Sequence, residues 1–305
     1  MSPVRLIVAP FFFLFLLLLA PCSPHARISS LQTEEIAVFF DSGAEKAAYD
    51  VLEAYPAVRE EISLLLGQKV GFRPEVRLVK GGETFRKLAG SDRVAAFAIP
   101  GKNLIVLDIS RAYESPFSLE PLLSHELCHL LLYHAAGKRD LPRWFDEGVC
   151  QWASGGFAEL AAGDAGGSLA KAVASGTLIP LHRLETFPQE ESALLLAYGE
   201  SRSIVEYIAG EFGARSIREI LAHLRAGHSL DEAFRRALSL SPAGLEEKWQ
   251  GSLKRRYTWF SYASSHLLTF LFFLAALATL CGFMRMLKRK RDYRDEEQED
   301  VPDRE

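Results

Sequence analysis

The strongest constraint on this chain is where it carries no charge. Residues 6–20 and residues 257–284 contain no Asp, Glu, Lys or Arg, and between them lie 230 residues, 27–256, of ordinary mixed composition. Only these two stretches could cross a bilayer, so a multi-span transporter is excluded. The overall 49% hydrophobic and 24% charged residues average over three unlike parts. The middle is long enough to bury a sizeable core. It carries 27 basic and 31 acidic residues without a basic stripe, which argues against nucleic acid as a partner. Four cysteines in 305 residues exclude a disulfide-dense miniprotein.

Arg5, the apolar run Leu6–Ala20 and the small residues after it have the layout of a secretory signal ending near Ala26. An uncleaved anchor is the alternative, and either one exports the domain behind it. Cys22 suggests a lipid-modified cysteine, but Pro21 stands where a small residue is expected. The second run, about Tyr262 to Met284, is long enough to span a bilayer as a helix. Tyr257, Trp259, Phe260 and Tyr262 precede it like an interfacial belt. Lys254, Arg255 and Arg256 stand on one side, and Arg285, Lys288, Arg289, Lys290 and Arg291 on the other. That bias places residues 285–305 in the cytoplasm and residues 27–256 outside it, periplasmic or extracellular. Asp295 to Glu305 reads as a solvated, disordered tail.

Within 27–256 the periodicity predicts an α+β domain, a small mixed sheet followed by a helical bundle. Strands are expected at 36–40 and 76–79, and a hairpin at 94–107 turning at Pro100-Gly101-Lys102-Asn103. Residues 44–66 read as a helix stopped by Gly67, with Pro56 as a possible kink. Further helices are expected from Ser118 to Gly137, from Pro142 to Gly155-Gly156, and over 191–212 up to Gly213. Ser229 with Glu232 forms a capping box for another, and Ser241-Pro242 opens the last.

Ser124-His125-Glu126-Leu127-Cys128-His129 contains His-Glu-x-x-His. On a helix, residues four apart lie about 40° apart around the axis, so His125 and His129 project side by side and can share a zinc ion. Glu126 is offset by about 100° and can instead serve as general base toward water at such a site. Two core histidines are the bland alternative. A catalytic zinc wants three protein ligands and one open position. Glu147, 18 residues past His129 in Leu141-Pro142-Arg143-Trp144-Phe145-Asp146-Glu147-Gly148, can supply the third; otherwise it is a helix-start carboxylate on the surface.

With these blocks the chain resembles the gluzincin metallopeptidases. Their aminopeptidase N-like branch carries a similar Trp-x-x-Glu-Gly, and a small peptidase MA-like group of bacterial proteins is similar in Leu-Pro-x-Trp-Phe-Asp-Glu-Gly. That group also shares an Ala-Tyr block about fifty residues later and a C-terminal anchor. The resemblance covers roughly residues 90–256. It implies one Zn²⁺ held by His125, His129 and Glu147, with Glu126 as base, in a membrane-anchored peptidase whose substrate is a peptide or protein of the cell envelope. It also implies that Tyr198, in Leu196-Ala197-Tyr198-Gly199-Glu200-Ser201, donates to the oxyanion; a core-packing tyrosine is the alternative. The hairpin would pair with substrate backbone by β-addition, or be an ordinary strand pair. Two rival functions stand beside the peptidase. One is a non-catalytic, zinc-stabilised scaffold, and the other a zinc hydrolase of a non-peptide amide such as a cell-wall crosslink. Cys128 and Cys150 are either a disulfide or two small buried thiols. Asp146 is either a partner of a ligand imidazole or a helix-start acid. His134, His182, His223 and His228 have no ligand spacing to the motif.

Overall fold

A computed structural model of the chain describes residues 28–80, 82–90, 94–114, 118–155 and 165–299. The signal segment 1–26, Cys22 and Gly156 lie outside them.

Five strands form one mixed sheet: β1 (Ser29–Gln32), β2 (Ala37–Phe40), β3 (Glu75–Val79), β4 (Ala96–Ile99) and β5 (Leu104–Asp108). Their order is β1-β2-β3-β5-β4. The outer pairs β1/β2 and β4/β5 are antiparallel, and β2, β3 and β5 run parallel. Parallel neighbours need a crossover, which α1 (Glu45–Leu66) provides between β2 and β3. Pro56 lies inside α1, and Gly67 ends it in the left-handed conformation at φ 64°. The expected hairpin is β4–β5, with Asn103 left-handed at its turn. His134 Nε2 lies 2.7 Å from Asn103 Oδ1, and its ring stacks on Phe72 at 4.2 Å, so this histidine ties the hairpin turn to the helix behind it.

The helical half contains α3 (Leu119–Ala135), α4 (Arg143–Ala153), α5 (Ala165–Ser175), α6 (Glu191–Phe212), α7 (Arg215–Arg225), α8 (Leu230–Leu238) and α9 (Pro242–Glu299); α2 (Gly82–Ala89) lies beside the sheet. The predicted capping box at Ser229 and Glu232 is present. Four elements were not expected: β1, α2, α5 and α7. One continuous core runs from the sheet into the bundle, and α3 crosses it with Leu122, Leu123, Leu127, Leu130 and Leu132 buried. α9 contributes Leu245, Trp249 and Leu253 to that core and then continues unbroken. Over Leu271–Lys288 it is long and apolar enough to cross a membrane, with a mean hydropathy of 1.6 and none of that stretch buried. Tyr257 is half-buried, and the side chains of Trp259, Phe260 and Tyr262 lie outside the described residues. The expected disorder from Asp295 is corrected as far as Glu299, where the helix still holds. Glu296, Glu297, Gln298 and Glu299 are good helix formers, and the preceding turns have already met the cost of nucleation.

Candidate metal centre

The site lies where α3 meets α4. Helical spacing puts His125 and His129 on one face of α3, with their ring centroids 4.9 Å apart. Their Nε2 atoms are 3.3 Å apart. Glu147 Oε2, from α4, lies 3.5 Å from Nε2 of His125 and 3.9 Å from that of His129. His125 and Glu147 are fully buried and His129 nearly so. The point equidistant from three atoms so spaced is about 2.1 Å from each, matching zinc bonds of roughly 2.0–2.2 Å to His nitrogen and carboxylate oxygen. Three acceptor atoms converging this closely in a buried place fit a shared divalent cation.

The far side of each imidazole supports this. Asp146 Oδ2 is 3.0 Å from His129 Nδ1 and accepts its N–H, which turns the Nε2 lone pair toward Glu147. Of the two readings of Asp146, this is the partner of an imidazole. His125 Nδ1 points at Ser154 Oγ, 3.4 Å away, and that hydroxyl donates to the Cys150 carbonyl at 2.8 Å. Ser154 escapes a reading by sequence because it joins the site only through the helix-end turn after Ala153. A second possible metal group, His129, Asp146 and Cys150, meets His129 at its Nδ1 side. Burial first, then the adjacent Cys128, raises the Cys150 thiol well above its ordinary range. Cys128 and Cys150 are both buried free thiols.

Each residue of the Trp-Phe-Asp-Glu-Gly block has its own contact. Just before it, Pro142 holds the N-cap position of α4, and its carbonyl accepts from the Phe145 and Asp146 N–H groups. Trp144 stacks on Phe234 of α8 at 5.8 Å, and Phe145 meets the same ring edge-on at 5.8 Å. Asp146 and Glu147 face the histidines. Gly148 is there because α6 comes too close for any side chain: a Cβ would sit 2.3 Å from the Ser201 carbonyl oxygen and 2.7 Å from Val205 Cγ2. Gln151, one turn past Glu147, donates to the Tyr198 carbonyl at 3.3 Å.

Glu126 is fully buried on α3. Tyr198 is buried on α6, its ring 5.0 Å from that of Phe187. The Arg143 guanidinium lies over Phe187 at 5.7 Å and reaches Glu147 Oε1 at 2.6 Å. Tyr198 is therefore joined to the donor set through two intervening side chains. Strand β4 is an edge of the sheet, with α3 packed against it.

Two residues past Tyr198, the buried Glu200 accepts the Ile179 N–H at 2.9 Å. Its carboxyl is pushed up to about 8, chiefly by burial and further by Glu246 of α9; the Ile179 bond opposes the rise. Glu246 in turn accepts the Leu181 N–H at 3.2 Å.

The sequence model of the Peptidase MA superfamily matches residues 90–255, a little over half of the chain. No curated protein matches it. The matched stretch contains β4, β5, all three converging donors, Glu126 and Tyr198.

Proposed function

The chain belongs to the Peptidase MA superfamily, and from that membership and its buried donor set we propose that it is a membrane-anchored, zinc-dependent metallopeptidase of the gluzincin type. The observation that carries the reading is the triangle of His125 Nε2, His129 Nε2 and Glu147 Oε2, with sides of 3.3, 3.5 and 3.9 Å. These atoms would hold the ion, while Asp146 and Ser154 keep both imidazoles turned toward it. Zinc, when bound, supplies Lewis-acid polarisation of a carbonyl and lowers the pKa of water toward 7.

The chain's own residues do the rest. Glu126 takes a proton from the attacking water and returns one to the leaving amine nitrogen, so that water is consumed and the C–N bond breaks. The Tyr198 hydroxyl donates to the oxyanion. Edge strand β4 receives the substrate backbone as an added strand. α9 anchors the domain, with residues 27–256 outside the cytoplasm and the tail from Arg285 inside it, so its substrates are envelope proteins or peptides.

The test is a peptide-library digest by the purified full chain, with and without a chelator, beside Glu126→Ala. Wild type should cut only when metal-loaded, and Glu126→Ala should bind zinc and cut nothing. Metal-loaded wild type that leaves every peptide intact would overturn the peptidase reading.

A further inference from the structure

Arg143 is oddly placed for a surface arginine. It occupies the first turn of α4, where the helix dipole disfavours a cation. Its i,i+4 partner Glu147 lies on the C-terminal side, the weaker orientation for such a pair. As an exposed helix pair it would contribute little to stability. Its partner, however, is fully buried: Glu147 has 0% side-chain exposure, against 46% for Arg143. The guanidinium takes Oε1 at 2.6 Å, and it is Oε2 that lies nearer the histidines. The terminal torsion of a glutamate is broad and roughly two-fold, so nothing in the side chain itself selects one oxygen. Phe187, between the 3₁₀ turn Leu181–Glu185 and α6, lies under the guanidinium at 5.7 Å and holds it by a cation–π contact.

We propose that Arg143, braced by Phe187, is a positioning residue for Glu147: it occupies Oε1, leaves Oε2 as the single ligand atom, and so keeps the metal at three protein contacts with one position open. The proposal rests on the zinc reading above. Without Arg143 the Glu147 carboxylate would no longer be held in one orientation, so Oε2 would ligate less well while both oxygens could crowd the ion loosely and close the position that substrate needs.

The test is zinc affinity of the purified full chain by chelator competition, with visible spectra of the Co²⁺-substituted protein, for wild type, Arg143→Gln, Glu147→Gln and the double variant. Arg143→Gln should weaken zinc by roughly 10–100-fold, the usual effect of losing a ligand's outer partner. It should also lower the Co²⁺ band intensity as coordination rises from four toward five. In the Glu147→Gln background the same change should shift affinity by less than about two-fold, because the carboxylate it acts through is gone. Equal losses in both backgrounds would overturn the proposal, as would an Arg143→Gln protein with wild-type affinity and spectrum. Thermal melts of all four separate these outcomes from unfolding. Failure of wild type itself to take up one zinc would overturn the function reading and this proposal together.

Discussion

Glu126 and Glu147 are both fully buried, and the proposed function gives them different duties because they sit on different helices. Glu147 points across from α4 into the histidine pair, whereas Glu126 shares α3 with those histidines about 100° around the axis from His125. In that proposal Tyr198 belongs with Glu126 on the chemical side. Tyr198→Phe removes one hydroxyl while keeping the ring on Phe187 and the backbone bond from Gln151. It should lower turnover by roughly 10²–10³-fold, as loss of an oxyanion donor does. Zinc content by elemental analysis should not change, and full activity would sink the role. Glu200 gives a pH prediction. Its carboxyl titrates near 8 in the fold against 4.5 when unperturbed, so the folded state holds a proton that the unfolded chain has lost. Stability therefore falls as pH rises from about 4.5 to 8, by up to a few kcal/mol, and stays level above that. Glu200→Gln keeps an acceptor for the Ile179 N–H and cannot ionise. Its melting temperature should drop less than that of wild type between pH 5 and pH 8. At this scale the donor set was legible, because His-Glu-x-x-His fixes two imidazoles on one helix face. Arg143, Ser154 and Phe187 were not, because their roles come from contacts between elements that no spacing encodes.

Between elements, the tightest requirement is the approach of α4 to α6. Gly148 lets the Ser201 carbonyl come within 2.3 Å of where a Cβ would be, and that obstacle is backbone, so it cannot rotate away. Gly148→Ala must part the two helices. It should cost about 1–3 kcal/mol or more, as overpacking does. Because Glu147 precedes Gly148, zinc affinity should fall along with the melting temperature. A variant as stable and as metal-avid as wild type would mean that α6 gives way at no cost. The elements that the sequence displayed best were those with end signals: α1 with Gly67, α6 with Gly213, α8 with its capping box. α7 was legible in principle, since Ile217, Ile220, Leu221 and Leu224 follow helical spacing and are all buried. β1 was not, because its four residues are largely exposed and owe their strand form to pairing with β2. α5 carries two glycines, Gly166 and Gly167, in its first turn, which oppose a helix by propensity, and it packs on α6 and α9.

At the scale of the whole molecule, α9 belongs to two parts of the chain at once. Leu245, Trp249 and Leu253 are buried in the core, and the Trp249 indole donates to Ser203 of α6 at 3.1 Å, five residues beyond Tyr198. The same helix then enters the exposed apolar stretch Leu271–Lys288 without a break. The domain is therefore joined through packed side chains to the apolar stretch that the proposed function makes its anchor, with no loop in α9 to act as a hinge. Two truncations separate the two duties. A chain ending at Arg256 keeps all three core residues and should stay folded and leave the membrane fraction. A chain ending at Ser241 loses two leucines and a tryptophan from the core, on the order of 6–10 kcal/mol at the usual cost of such deletions. That is comparable with the roughly 5–15 kcal/mol by which a whole domain is stable, so this chain should not fold. Circular dichroism and fractionation of the two products check both statements. A chain ending at Arg256 that still sediments with membranes would move the anchor from α9 to the first apolar run, Leu6–Ala20, retained as an uncleaved segment.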